Sequence, residues 1–228
     1  MASVPTASPS WNKATIQELL TPQRLSSYLT AASNDLSKAL KLYEWNTHAD
    51  AALVQTVALV EVVIRNAIDR ELIIWARSRH AAASWFDIAP LDSRGLKVLS
   101  EARRRATQAG HRAEDHGKVI AELSFGFWRV LVASKYHASL WVPSVHRSFP
   151  FGDANLRRRR TEVEALLRQI GSVRNRAAHH EPVHQRDLNV DLQRAVTATS
   201  WVSPDAGAWV ADTSILPRII AERSALGI

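Results

Sequence analysis

The chain has 228 residues, 46% of them apolar, which is enough to bury a sizeable core. Lys and Arg number 29 against 22 Asp and Glu, the net charge is +7, and there is no Cys. This composition excludes a disordered chain, a disulfide framework and a thiolate metal site. Arginine makes up most of the basic residues. That bias favours contact with phosphates, although GC-rich coding sequence produces the same bias.

The N-terminal part of the chain predicts a loose segment followed by short helices. Residues 1–13 are rich in Ser, Pro and Ala and are expected to be loose. They lack the charged and apolar regions of a signal peptide, and no apolar run approaches the roughly 18 residues of a membrane span. We therefore expect a cytoplasmic protein without membrane contact. A helix is predicted over 14–20, and Thr21 and Pro22 are typical of the start of a second helix that reaches about residue 32.

The middle of the chain has a strong helical pattern. Residues 36–79 carry an apolar stripe at three-and-four spacing, which predicts helix with a joint at Asn46 and Thr47. Further helices are predicted over 92–109, ended by Gly110, and over 116–136. Proline and glycine break the chain at 142–152.

The C-terminal third predicts one long helix and shorter ones. Residues 154–180 place six apolar side chains on one face, and Pro182 follows as a stop. Residues 187–202 and 216–226 are expected to be helical, whereas 204–214 are turn-rich, with a strand-like piece at 208–210. The sequence therefore predicts an all-α fold with a single domain over 14–228.

The most informative stretch is 174–180, which contains Arg174, Asn175, His179 and His180. A guanidinium grips phosphate oxygens in a planar fork, and an imidazole moves a proton near neutral pH. On a helical wheel Arg174 and His180 lie at the two flanks of the apolar stripe. Asn175 and His179 stack four residues apart, so the motif points out of the core. This combination is suited to phosphodiester chemistry.

Two other interpretations of this motif stay open. Arg and His are common in a last helical turn because both satisfy its free carbonyls, without any catalytic role. A metal site built from His179, His180 and His184 with Glu181 is the second. Adjacent histidines, however, point about 100° apart on a helix, and no His-Glu-x-x-His pattern is present. We expect no metal.

Four stretches of the chain carry a family resemblance, and they lie at 42–46 with 60–68, 124–128, 140–141, and 173–180 with 183–186. In this order they resemble the Abi-like (abortive infection) proteins, a branch of the HEPN superfamily of all-α nucleases. The resemblance covers about residues 25–190. Downstream of the motif the family usually carries Arg-Leu-Trp-Asn-Arg, whereas this chain has Glu-Pro-Val-His-Gln-Arg over 181–186.

The resemblance implies a HEPN-like helical bundle with extra flanking helices, acting as a homodimer whose motif helices meet. It implies a metal-independent endoribonuclease without cofactors, used as an antiphage abortive-infection or toxin effector that an antitoxin could neutralise. RNA is the expected substrate because its 2′-OH is the nucleophile of metal-free cleavage. Arg174 would stabilise transition-state charge and Asn175 would orient the histidine or the phosphate. His179 would be general base or acid, and His180 an auxiliary base or a ligand of the helix end.

Other polar residues are candidates for the same site. Glu61, Arg65 and Asn66 form a polar cluster on an otherwise apolar helix, where Glu61 and Arg65 either pair with each other or line the same cleft. The predicted RNA-binding residues are Arg157, Arg158, Arg159, Arg160 and Arg186. A solvated face paired with Glu162 and Glu164 is the alternative for the run at 157–160.

Two other functions compete with RNA cleavage. The first is a non-catalytic HEPN-like dimeric module that binds RNA or protein, as an antitoxin or scaffold does. The second is a protein-interaction bundle in which the eight Trp form the interface.

Overall fold

The computed structural model describes residues 11–81 and 84–228, and every regular element in this part of the chain is helical. Most of the segment predicted to be loose, residues 1–10, lies outside the described residues. The helices are α1 (Lys13–Leu20), α2 (Pro22–Ala31), α3 (Leu36–Arg79), α4 (Trp85–Ile88), α5 (Ser93–Ala106), α6 (His116–Glu122), α7 (Phe125–Leu131), α8 (Leu156–Ala178), α9 (Leu188–Ser200), α10 (Pro204–Thr213) and α11 (Leu216–Ser224). The all-α prediction is confirmed for these ranges.

Side-chain caps explain where the first helices begin. Asn12 caps α1, the Thr21 hydroxyl accepts from the Arg24 backbone N–H at the start of α2, and Asp35 caps α3 through two backbone N–H groups. Each cap satisfies donors that the first helical turn leaves free. The start of the second helix at Thr21 and Pro22 was predicted correctly from these residue types.

The predicted joint at Asn46 and Thr47 is wrong, because α3 continues through it as one 44-residue helix. The Asn46 side chain is 1% exposed, and its amide nitrogen donates to Asp50 Oδ2 over 3.1 Å. Its amide oxygen accepts from the backbone N–H groups of Val183 and His184. Asn46 therefore holds a distant loop through hydrogen bonds, and it does not interrupt its own helix.

Helix α3 lies at the centre of the fold and supplies side chains to two apolar clusters. Its second half packs with α4, α5, α7 and the buried face of α8 around three fully buried Trp, at 85, 128 and 141. Its first half packs with α2, α11 and the last turns of α8, where Val173 and Ala177 are buried. The motif at 174–180 therefore lies over the second cluster, on the end of a helix that both clusters hold.

Three other predicted boundaries differ from the structure. Helix α5 ends at Ala106, three residues before the expected end, and the helix predicted over 116–136 is divided at Ser124. The turn-rich assignment of 204–214 and the strand-like assignment of 208–210 are wrong, since α10 occupies this stretch. Pro204 stands in its first turn, where a missing N–H costs nothing. A Cβ at Gly207 would lie 1.8 Å from Ser200 Oγ, so this glycine allows α9 and α10 to approach closely.

Helix α3 is long and apolar enough, by length and composition, to cross a membrane, with a window of mean hydropathy 1.6. We did not predict such a helix, because the sequence has no uninterrupted apolar run of that length. Some 44% of that window is buried inside the protein, as in the core helix of a bundle.

Candidate functional site

The motif lies on the exposed side of α8. Val163, Leu167, Ile170, Val173 and Ala177 form the buried face of this helix, as the apolar spacing predicts. Arg174 and Asn175 are exposed, and the Arg174 guanidinium donates to Asn175 Oδ1 over 3.4 Å. Both groups are therefore free to contact a ligand from solvent.

The two histidines form the end of α8. The His180 backbone N–H donates to the Ala177 carbonyl over 3.0 Å, and the Glu181 N–H donates to the Arg176 carbonyl over 2.9 Å. This pair of bonds is a Schellman motif, and its left-handed position, usually glycine, is His180 with φ 56°. His180 thus has a structural role through its backbone, whereas the side chain of His179 remains exposed one turn beyond Asn175.

Side chains from distant parts of the chain hold the segment that follows the motif. The Arg24 guanidinium of α2 donates to the His180 carbonyl, and the Arg223 guanidinium of α11 donates to the His184 carbonyl. Asn46 of α3 accepts from the backbone at 183 and 184 at 2.8 and 3.1 Å. The end of the motif helix is therefore fixed by three helices.

The structure separates the three histidines that the metal interpretation groups together. His184 is 1% exposed, its ring lies 4.6 Å from that of Tyr28, and its Nε2 is 3.2 Å from Ser27 Oγ. Burial lowers the pKa of His184, and the charge of Arg223 lowers it further. His179 and His180 are exposed instead. No cluster of three or more possible metal ligands occurs within residues 11–81 and 84–228.

A cavity of about 570 Å³ lies where α3, α7 and α8 meet, within the usual range of about 300–1,000 Å³ for ligand sites. It is lined by Glu61, Ser124, Phe125, Gly126, Arg129, Arg168, Gly171, Ser172, Arg174 and Asn175. The motif's arginine and asparagine are among these residues, and its histidines are not. Residues 168, 172, 175 and 179 share one strip of α8, so His179 lies along the line that the cavity follows.

The charges of this cavity suit an anion. Arg129, Arg168 and Arg174 bring three guanidiniums to it, and none of them forms an ion pair with a residue in the described ranges. Glu61 is the carboxylate on the opposite wall. Burial raises the pKa of Glu61, against the opposing effects of Arg174, Arg65 and the Phe125 backbone N–H. The cavity is thus net positive with one half-buried acid.

The predicted polar cluster on α3 is divided by the structure. Glu61 lines the cavity with Arg174 and Asn175, whereas Arg65 and Asn66 are not among its lining residues. The Arg65 Nε donates to Asn66 Oδ1 over 3.2 Å, and the Glu61–Arg65 ion pair, one of the two alternatives for these residues, does not form. Arg65 acts on the cavity through its charge near Glu61.

Two glycines in the cavity wall have room for a side chain. A Cβ at Gly126 of α7 would come no closer than 3.6 Å to Ser124 Oγ, and one at Gly171 of α8 would meet Phe125 at 3.6 Å. Neither position has a positive φ. Glycine inside a helix costs about 0.5–1 kcal/mol relative to alanine. Packing does not account for these residues, and their effect is to keep the cavity open.

The four arginines at 157–160 differ in their surroundings, and their contact with RNA stays a prediction. Arg160 is 8% exposed, donates to the Val132 carbonyl and pairs with Glu164. Arg159 donates to the carbonyls of Asp153 and His146, and Arg158 pairs with Glu162. The alternative of carboxylate partners on the same helix therefore holds for Arg158 and Arg160, and Arg157 stays exposed.

Arg186 is also engaged inside the protein, and its contact with RNA stays a prediction. Its guanidinium donates two bonds, of 2.8 and 2.9 Å, to the buried carboxylate of Asp191, which Arg194 contacts as well. A cavity of about 650 Å³ lies beside it, lined by Trp45, Leu188 and Ile220 among others. We do not assign function to this larger cavity, because Arg186 binds Asp191 and Arg223 binds the His184 carbonyl and covers the Trp45 ring.

Sequence reasoning did not identify Arg129, Arg168, Ser172, Gly126 or Gly171 as part of the site. The sequence could have indicated the α8 residues among them, since 168, 171 and 172 precede Asn175 at helical spacing and so share its face of the helix. Arg129 carries no such signal, because only the packing of α7 against α8 brings it there. Gly126 lies in the stretch 124–128 that carries the family resemblance, but this resemblance assigned it no role.

No protein-family model matches this chain, and no curated protein and no solved structure shows significant similarity to it. The function of this chain is therefore inferred from the residues of the site.

Proposed function

We propose that this protein is a metal-independent endoribonuclease with a HEPN-type helical bundle, acting as an abortive-infection or toxin effector. The observation that carries the proposal is the cavity in which Arg174 and Asn175 meet two further arginines and a half-buried carboxylate. Such a site grips a phosphodiester and offers groups that can move a proton. The resemblance of 174–180 to the Abi-like motif supports the same chemistry.

The reaction uses the RNA's own 2′-oxygen as nucleophile. A base takes the 2′-OH proton, the 2′-oxygen attacks phosphorus, the bond from phosphorus to the 5′-oxygen breaks, and an acid protonates that oxygen. Arg174 stabilises the added negative charge, an effect that is typically worth several kcal/mol. Asn175 orients the phosphate through its amide. His179 and Glu61 are the groups at or beside the cavity that can exchange protons.

A second copy of the chain completes this proposal. His179 lies outside the cavity of its own chain, on the same exposed strip of α8. In a homodimer joined through the motif helices, the imidazole of one subunit would supply the proton transfer for the phosphate held by the other. A neutralising antitoxin would act by covering this strip.

Cleavage with metal chelated tests the proposal. We expect the wild type to cut single-stranded RNA in EDTA and to leave 2′,3′-cyclic phosphate ends. Arg174→Ala and His179→Ala are expected to lose about 100-fold or more in rate. Arg77→Ala is the matched control, because it removes an exposed arginine that lies about 24 Å from Glu61 along the axis of α3. Equal cleavage by all four proteins contradicts the proposal.

RNA binding without cleavage is the second candidate, and one observation favours it. None of the residues lining the cavity is a histidine, so a single subunit offers positive charge without an imidazole. This function predicts that Arg174→Ala weakens RNA binding while neither the wild type nor any variant releases products.

A further inference from the structure

A second cavity lies beside the first one. It measures about 260 Å³ and is lined in part by Ser124, Gly126 and Arg129, which also line the larger cavity. Three residues of one short segment border both spaces, so the two cavities lie side by side, and we call the surface that they form together the groove. The groove runs from α8, past the start of α7, to the first turn of α5.

Positive charge is spread along this groove. Arg168 and Arg174 lie at its α8 end, Arg129 lies between the two cavities, and Arg94 lines the far end. Arg94 is exposed and forms no ion pair within the described ranges. Lys135 lines the far cavity too, but its ammonium donates to Asp92, so that pair adds no net charge.

The wall between the cavities carries no side chain at Gly126. A Cβ built there meets nothing nearer than Ser124 Oγ, at 3.6 Å, and this residue is exposed. The space beside Gly126, which both cavities border, therefore has room for a larger side chain.

We propose that the groove binds a single strand of RNA over several nucleotides, with the phosphate to be cleaved at the Arg174 end. The flanking nucleotide then lies in the smaller cavity, where Arg94 contacts its phosphate. This inference rests on the proposed function and adds to it a second subsite, at Arg94. A strand presents one phosphate per nucleotide to a line of separated arginines. We expect a single strand to bind more tightly than a duplex, because the paired bases of a duplex are not free to enter a cavity.

Binding of short non-cleavable strands tests this inference. The probes are fluorescein-labelled 2′-O-methyl oligouridylates of two, four and six nucleotides, and a self-complementary 2′-O-methyl duplex, read by anisotropy. We expect the wild type to gain about tenfold in affinity from two to six nucleotides. Arg94→Ala and Gly126→Leu are expected to remove most of that gain, and Arg94→Ala, which lies outside the larger cavity, is expected to leave the dinucleotide affinity within about twofold.

Salt dependence supplies a second readout. Removing one phosphate contact to a single strand lowers the slope of log affinity against log salt by about 0.7, so we expect this change in Arg94→Ala with the hexamer and not in Arg77→Ala. Thermal unfolding of each variant shows that it is folded.

The outcomes separate this inference from the function on which it rests. If the wild type binds the hexamer and both groove variants keep its full length dependence, the inference is wrong and the proposed function stands. A duplex that binds as tightly as the single strand overturns it as well. If no probe binds to the wild type, the proposed function and the inference fail together.

Discussion

Asp50 gives the protein a pH-dependent stability that can be predicted from its surroundings. This α3 side chain is 5% exposed, its Oδ2 accepts from Asn46, and its Oδ1 has no partner within the described ranges. Burial raises the pKa of Asp50 from 3.8 to about 7, against the opposing charge of Arg24. The buried cluster therefore favours the protonated acid.

The sign of the effect follows from this shift. Below pH 3.8, the pKa of Asp50 in the unfolded chain, both the folded and the unfolded protein hold the Asp50 proton, and the stabilisation is fully present. As the pH rises to about 7, the unfolded chain releases the proton while the folded protein keeps it, so stability falls. One pKa unit corresponds to 1.36 kcal/mol, which sets the loss at no more than about 4 kcal/mol.

Asp50→Asn removes this titration and keeps the side-chain shape. We expect the free energy of unfolding of the variant, measured relative to the wild type by urea denaturation, to rise by about 2–4 kcal/mol between pH 4 and pH 8. The matched control is Asp212→Asn, which removes an exposed carboxylate of α10 and is expected to change stability by less than about 0.5 kcal/mol. A difference between Asp50→Asn and the wild type that is the same at both pH values refutes the reasoning.

Three further predictions concern the site. His180→Gly is expected to stabilise the protein by about 1 kcal/mol in urea denaturation, since glycine takes the left-handed position without strain, and a loss of RNA cleavage in this variant would assign its imidazole a catalytic role. Gly171→Ala is expected to add about 0.5–1 kcal/mol of stability and to weaken RNA binding, because its Cβ narrows the cavity. Glu61→Gln is expected to tighten binding of 2′-O-methyl RNA about fivefold at pH 8, where the wild-type carboxylate repels phosphate. The gain in affinity is expected to be smaller at low pH, because the wild-type acid then takes up a proton. Equal gains at both pH values would contradict this.

The sequence predicted those features that local chemistry decides. The cap at Thr21 and the apolar face of α8 are set by residues within a few positions of one another, and the structure has them as expected. The outward direction of Arg174 and Asn175 follows from that same face. Such features need no knowledge of distant contacts.

Features set by long-range contacts were beyond sequence reasoning. Asn46 is of a residue type that is common where helices end, yet it is buried against a loop that lies 137 residues away in the chain. Arg160 is of a residue type that often contacts phosphates, yet its guanidinium donates to the Val132 carbonyl. Pro204 and Gly207 suggest turns, but one begins a helix and the other lets it pack on Ser200. The same limit concealed Arg129 and Gly126 as parts of the cavity wall.

The most direct test of the central claim uses a DNA strand that contains a single ribonucleotide, incubated with the protein in EDTA. Attack by a 2′-oxygen at the Arg174 cavity predicts one cut, on the 3′ side of that ribose, and no cut in the all-deoxy strand. Cleavage of the all-deoxy strand, or cleavage that requires added metal, contradicts the account.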